Sequence, residues 1–185
     1  MQELSMNVLD VAQNSVAAGA KLIRITLDAQ PGADTLALVV EDDGKGMDEE
    51  TVRRVTDPFY TTRTTRKVGL GLPLLQMAAQ MTGGALEIAS QPGKGTRVCA
   101  RFGLRHIDRA PLGDLASTAA GLVQCSPDID FVFTVRVGGE EFTADTREMR
   151  EVLGGVPLSE PAVAQWLRAY IDENIQPMLQ RSEIV

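Results

Sequence analysis

Leu36-Ala-Leu-Val-Val-Glu-Asp-Asp-Gly-Lys-Gly-Met47 carries a mostly apolar run straight into an acidic loop spaced by glycines. Leu36 to Glu41 reads as a strand, apolar enough to suggest burial on both faces. Asp42-Asp-Gly-Lys-Gly46 then reads as the tight loop that ends it. A carboxylate at such a strand end can accept a hydrogen bond from an exocyclic amine such as that of adenine. Gly44 and Gly46 would let the backbone approach a flat ring. An acidic Asp-Gly turn alone is equally a plain connection, so its meaning depends on what surrounds it.

Upstream, residues 3 to about 17 read as a helix. Leu4, Val8, Leu9, Val11, Ala12 and Val16 fall on one broad face at helical spacing. Asp10 and Asn14 fall on the other side, one turn apart, where they can address one pocket or simply face water. The Asn14 oxygen is a hard, neutral ligand suited to a Mg²⁺ ion that already carries phosphate oxygens. Asp10 can orient or deprotonate a group attacking a terminal phosphate. Gly19 is placed to end the helix in a left-handed cap, and Lys21–Asp28 alternates as a strand before a turn at Gln30–Asp34.

Downstream, Asp48 can cap a short helix to about Val55, and residues 56–69 lack an apolar period and read as a mobile loop. Lys67-Val-Gly69-Leu-Gly71-Leu72 follows and opens a helix over Leu70–Met81, closed by Gly83-Gly84. Backbone N–H groups exposed at Gly69 and Gly71 would suit a triphosphate at a helix start. Arg63, Arg66 and Lys67 just before them offer charge-assisted contacts to phosphate oxygens. Leu86–Ser90 and Thr96–Phe102 read as a hairpin around Gln91-Pro-Gly-Lys-Gly95.

The three motifs in this order resemble the N box and the two glycine boxes of the GHKL superfamily. That superfamily includes sensor histidine kinases, type II topoisomerases and DNA mismatch-repair ATPases. Asn14-Ser-Val-Ala-Ala-Gly-Ala20 is similar to the mismatch-repair version. Asp57-Pro-Phe-Tyr-Thr-Thr-Arg63 resembles the histidine-kinase F box, and Gly69-Leu-Gly-Leu72 and Gln91-Pro-Gly-Lys-Gly-Thr96 resemble histidine kinases too. The resemblance implies an α+β fold, a two-layer α/β sandwich of Bergerat type, over residues 1–103. It implies ATP and Mg²⁺ as cofactors, with Asn14 on the metal, Asp42 on the adenine amine, and Gly44, Gly46 and Met47 about the base. Arg63, Lys67, Gly69, Leu70, Gly71 and Leu72 would then serve the phosphates, Thr96 would back Asp42 through a water, and Asp10 would be the catalytic base. Three departures stand out. Asp10 is shorter than the usual Glu, Lys67 replaces an expected glycine, and Ala17 stands where mismatch-repair relatives carry Asp.

Residues 104–185 read as a small α+β extension. It comprises a polar connector over Leu104–Asp114, a helix over Leu115–Val123 and a hairpin over Asp130–Thr143 turning at Gly138-Gly139. A last helix is expected to be capped by Ser159 and to end at about Ile175, before Pro177. Phe131, Phe133, Trp166 and Tyr170 are expected to pack on the ATPase sheet, with a homodimer or partner surface as the alternative. His106-Ile-Asp-Arg109-Ala-Pro111-Leu112 resembles the histidine-kinase H box at four of seven places. His106 is thus a candidate phosphoacceptor, or else part of a polar tie between lobes.

Composition narrows the function. The net charge of −7 argues against nucleic acid as a partner, and no apolar run approaches the roughly 20 residues needed to cross a bilayer. Cys99 and Cys125 form no CxxC or Cys/His cluster, which suits a reduced, cytoplasmic protein. Only two residues precede the first helix, so the helix pair that carries the phosphoacceptor histidine in sensor kinases is not expected. The favoured expectation is a stand-alone kinase that phosphorylates a receiver or regulatory protein, like the small anti-sigma-factor kinases. The alternatives are an ATP-gated switch and an autokinase using His106.

Overall fold

The computed structural model describes residues 3–57 and 71–184. Alternation decides which way each strand faces. In β1 (Leu22–Gln30) Ile23, Ile25, Leu27 and Ala29 are buried, and in β2 (Thr35–Asp42) Leu36, Leu38 and Val40 are. The intervening Ala37, Val39 and Glu41 of β2 are only half-buried, so the strand is covered fully on one face and not on both. The other face of the sheet carries polar side chains. There Arg97 pairs with Glu41, Arg101 with Glu87 and Arg136 with Glu141.

The hairpin β3 (Ala85–Gln91) and β4 (Gly95–Gly103) joins β2 on one side. A second hairpin, β5 (Asp130–Val137) and β6 (Glu140–Asp145), joins β1 on the other. The result is a six-stranded sheet in the order β3-β4-β2-β1-β5-β6, antiparallel except for the parallel β1–β5 pair. Helices α1 (Leu4–Ala17), α3 (Gly71–Met81), α4 (Leu115–Cys125) and α6 (Pro161–Arg181) lie over its apolar face. The short α2 (Glu49–Arg54) and α5 (Thr146–Leu153) complete the described elements. This is the two-layer α+β sandwich that the sequence leads one to expect.

One continuous apolar core runs from Leu4 to Ile184. Val8 of α1, Ile25 and Leu27 of β1, Phe133 of β5 and Ile171 and Ile175 of α6 line a cavity of about 30 Å³ within it. Late residues therefore complete the packing of early ones. The connector after β4 is less polar in effect than its sequence: Leu104 and Leu112 are buried, and Leu4 N–H donates to the Pro111 carbonyl at 2.9 Å.

Several local expectations are corrected. The last helix starts at Pro161 with Glu160 as its N-cap, not with Ser159, because proline presets the first helical φ and lacks the N–H a cap would serve. It also runs through Pro177 to Arg181. The hydrogen bond lost there is offset by burial of Met178 and Leu179, each worth about 1.5–3 kcal/mol. Helix α5 was not anticipated, although Asp145-Thr-Arg-Glu148 is a capping signal and the Asp145 carboxylate accepts from Arg147 N–H at 2.9 Å. The mobile loop expected over residues 56–69 lies almost wholly outside the described residues.

Thr146 is fully buried, and its Oγ1 accepts the Phe131 N–H at 2.8 Å, fastening α5 to the sheet. Thr146→Val keeps the shape but orphans that N–H, at a cost of about 1–3 kcal/mol. Urea titration should show a lower midpoint with an unchanged m-value; an unchanged midpoint would remove this bond from the account.

Candidate functional site

Strand register brings three chain segments to one end of the sheet. Asp42 ends β2 directly opposite Thr96 at the start of β4, and the C-terminus of α1 lies above them. The Asp42 carboxylate is bracketed: Oδ2 accepts from Ser15 Oγ at 2.6 Å and Oδ1 accepts from Gly44 N–H at 2.9 Å. Ser15 is buried and Asp42 half-buried, so these bonds act in a medium less polarisable than water and hold the carboxylate in one orientation. A carboxylate has about four lone-pair sites, which leaves Asp42 the capacity to accept from an amine.

The loop that follows is clamped from both sides. Lys45 N–H donates to Ala18 O at 3.0 Å, and Gly93 N–H donates to Lys45 O at 2.7 Å. Met47, half-buried, donates its N–H to Ser90 Oγ at 2.8 Å; that hydroxyl donates to Gly95 O and lies 2.9 Å from Thr96 Oγ1. Gly46 sits at φ +66°, and a Cβ there would lie 1.9 Å from the Gln91 carbonyl oxygen. No other residue fits, because both the backbone conformation and the space exclude a side chain. A Cβ on Gly44 would press to 2.9 Å from Asp42 Oδ1.

Asp10 and the helix start also meet. A Cβ added at Gly71 would lie 3.4 Å from Asp10 Cβ and 3.6 Å from its Oδ2. The first residue of α3 thus rests against the Asp10 carboxylate. Asn14 stands one turn further along α1, half-buried. Leu72 is buried beneath α3 and serves the core with its side chain. Of the phosphate-side candidates, Arg63, Lys67, Gly69 and Leu70 lie outside the described residues.

His106 is placed elsewhere. Thr35 pairs with Gly103 at the opposite end of β2 and β4 from the Asp42–Thr96 pair, and His106 follows that far end. At roughly 3.3 Å per residue the two ends are about 23 Å apart. His106 is exposed; its Nδ1 accepts from Asp108 N–H at 3.2 Å. Arg109 turns back on its own loop, donating to Leu104 O at 2.6 Å and Ala110 O at 2.9 Å. Burial holds its guanidinium below the ordinary arginine value.

Three contributors escaped the sequence reading. Ser15 adjoins Asn14, yet its role requires knowing that α1 crosses the end of β2. Ser90 needs the hairpin register to bring it under Met47. Asp43 is turned away from Asp42 and accepts from Lys21 N–H at 2.7 Å and Leu22 N–H at 2.9 Å, tying the loop to β1. Partial burial alone would raise the Asp43 pKa. The backbone donors at Leu22, Lys21 and Asp43 itself, with the Arg24 charge, outweigh that and hold the carboxyl below its ordinary value.

The model for the family described as histidine kinase-, DNA gyrase B- and HSP90-like ATPases matches residues 1–106. A sensor protein kinase of Pseudomonas aeruginosa, FleS, is 40% identical over 105 residues, which are 57% of this chain and 25% of that protein. The non-motile and phage-resistance protein of Caulobacter vibrioides is 34% identical over 97 residues, 50% of this chain and 12% of that one. Sporulation kinase C of Bacillus subtilis is 30% identical over 94 residues, 51% of this chain and 22% of that one. The chain spans a quarter or less of these relatives' own length. The crystal structure of the N-terminal domain of a DNA repair protein superposes with a TM-score of 0.54 at 15% identity, covering 78% of this chain and 52% of that one. At that identity the likeness concerns the fold alone.

A carboxyl whose folded pKa is lowered stabilises the fold above its unfolded value and loses that contribution as pH falls through the folded value. For Asp43 this window lies in the acid range below the ordinary 3.8. Asp43→Asn should therefore cost about 1 kcal/mol at neutral pH, a modest figure because the group is exposed. The difference from the parent protein should close on acidification. A gap that stays constant with pH in denaturant titrations would show that the charge has no part.

Proposed function

The chain belongs to the family of histidine kinase-, DNA gyrase B- and HSP90-like ATPases, and we propose on that premise that it binds ATP with Mg²⁺ and phosphorylates a protein partner. The observation that carries this reading is Asp10 resting against Gly71. One carboxylate thereby stands where the anion-favouring start of α3 begins, within the same end of the sheet as the bracketed Asp42.

The residues present fit the nucleotide. Asp42 is pre-oriented to accept an exocyclic amine. Gly44 and Gly46, packed against Ala18, Asp42 and the Gln91 carbonyl, would border the base through their backbone. Thr96, opposite Asp42 in the register, would support it through a water, with Met47 beside the base. Among the described residues no group of three or more His, Cys, Asp or Glu side chains could hold a metal. By the family resemblance Asn14 would share Mg²⁺ with the phosphates, as suits an ion that keeps several non-protein ligands. Arg63, Lys67, Gly69 and Leu70 would serve the phosphates from the preceding segment. Bound ATP·Mg²⁺ supplies the transferable phosphoryl group; Asp10 is the group placed to take the proton of the incoming nucleophile.

The distance of His106 from this end of the sheet favours an acceptor on another protein over transfer within one chain. A receiver or regulatory protein is the partner class we favour. Among the described residues no helix is long and apolar enough to cross a membrane. The proposed reaction is a cytoplasmic one.

Two substitutions separate binding from chemistry. Asp42→Asn should weaken binding of a fluorescent ATP analogue at least about tenfold, since a half-buried acceptor is turned into a partial donor. Asp10→Asn should leave affinity within a few-fold while phosphate release or transfer from γ-labelled ATP falls by about 10²–10⁴. His106→Ala should leave both unchanged. Full turnover in Asp10→Asn would remove it as the base, and full affinity in Asp42→Asn would sink the site.

A further inference from the structure

The sheet ends at β6, and no other described strand pairs with its outer edge. An unpaired edge presents backbone donors and acceptors ready for another strand. Beside it stands a ladder of rings. Tyr170 meets Phe142 of β6 edge-on at 5.4 Å, and Trp166 stacks on Tyr170 at 5.3 Å and 5°. Trp166 is 47% and Tyr170 36% exposed, although α6 otherwise turns its apolar residues inward. Large aromatic rings left in water beside an open strand edge are what the centre of an interface uses. All of this lies beyond residue 106, where the family match stops.

The residues of β6 say which occupant fits. Glu140, Phe142 and Ala144 point to the helix-covered face, and Glu141, Thr143 and Asp145 to the polar face, as the Arg136–Glu141 and Thr134–Thr143 contacts there require. In an antiparallel pair, residues directly opposite share a face, so only registers that keep this parity are allowed. Consider a second copy of β6 related by a two-fold axis. An axis at Glu141 sets it against itself, and an axis at Thr143 sets Glu141 against Asp145; both oppose like charges. An axis at Phe142 sets Phe142 against Phe142, Glu141 against Thr143 and Glu140 against Ala144. Axes at Glu140 and Asp145 likewise set a carboxylate against itself, and an axis at Ala144 pairs only Thr143–Asp145 because α5 starts at Thr146. The Phe142 register alone pairs most of the strand without repulsion, and it joins the two aromatic ladders into one.

We propose that two copies of this chain associate through β6, antiparallel and centred on Phe142, so that their sheets run on into one another. Trp166 and Tyr170 of each copy close the seam on the helix side. The association leaves the Asp42 end of each sheet free, because β1 and β5 separate β2 from the seam. It therefore stands whether or not the proposed transfer chemistry does.

Sedimentation of the full chain over a range of concentrations tests it, with circular dichroism as the fold control. The parent protein should show twice the monomer mass. Trp166→Ala, at a half-exposed position, should weaken association at least about tenfold while the fold is kept. Phe142→Cys in a Cys125→Ser background should give a covalent dimer on mild oxidation, and Val152→Cys in the same background should not. A monomer at every concentration would overturn the proposal. So would a dimer that neither Trp166→Ala weakens nor Phe142→Cys cross-links.

Discussion

A hydrogen bond of 2.6 Å between Ser15 on α1 and Asp42 at the end of β2 holds the helix layer to the working end of the sheet. The bond is partly buried, so breaking it strands a carboxylate in a poorly screened place. It makes two sequence motifs, separated by two strands' worth of chain, into one site. The bond from Lys45 N–H of the following loop to Ala18 O, and the rest of Asp10 on Gly71, both presuppose α1 lying where this bond fixes it.

Periodicity then assigns the roles. On α1 the 100° step sends Ser15 down toward Asp42 while Asp10 comes round to Gly71 at the start of α3. On β2 the alternation sends Asp42 and its neighbour Asp43 in opposite directions. Two adjacent, chemically identical residues thus divide the work: one carboxylate is bracketed by Ser15 and Gly44, and the other ties Lys21 and Leu22 at the start of the neighbouring strand.

The C-terminal third acts on the same architecture from the far side. Without β5, strand β1 would present an open edge; with it, the sheet's free edge moves out to β6. Ile171 and Ile175 reach back to the cavity that Val8 of α1 also lines. The helix carrying Asp10 and Asn14 is therefore braced by residues outside the family match, and their truncation would be felt at the site through packing.

The strand–loop–helix order, the Gly19 cap, the two hairpins, and Asp10, Asn14 and Asp42 as the residues to watch are legible in the sequence. The elements rest on local rules, whether the period of a helix, the alternation of a strand or the conformations open to glycine; the three site residues rest on the resemblance of their motifs, in that order, to the GHKL boxes. Tertiary structure alone decided that Ser15 grips Asp42, that Ser90 holds Met47 and that β5 lies parallel to β1, because those partners are far apart in the chain. It also carried α6 through Pro177, where burial of Met178 and Leu179 outweighs a local rule that says stop. Finally it paired Asp42 with Thr96, so that the length of β4 separates His106 from Asp42; the strand length is local, and the pairing across the sheet is not.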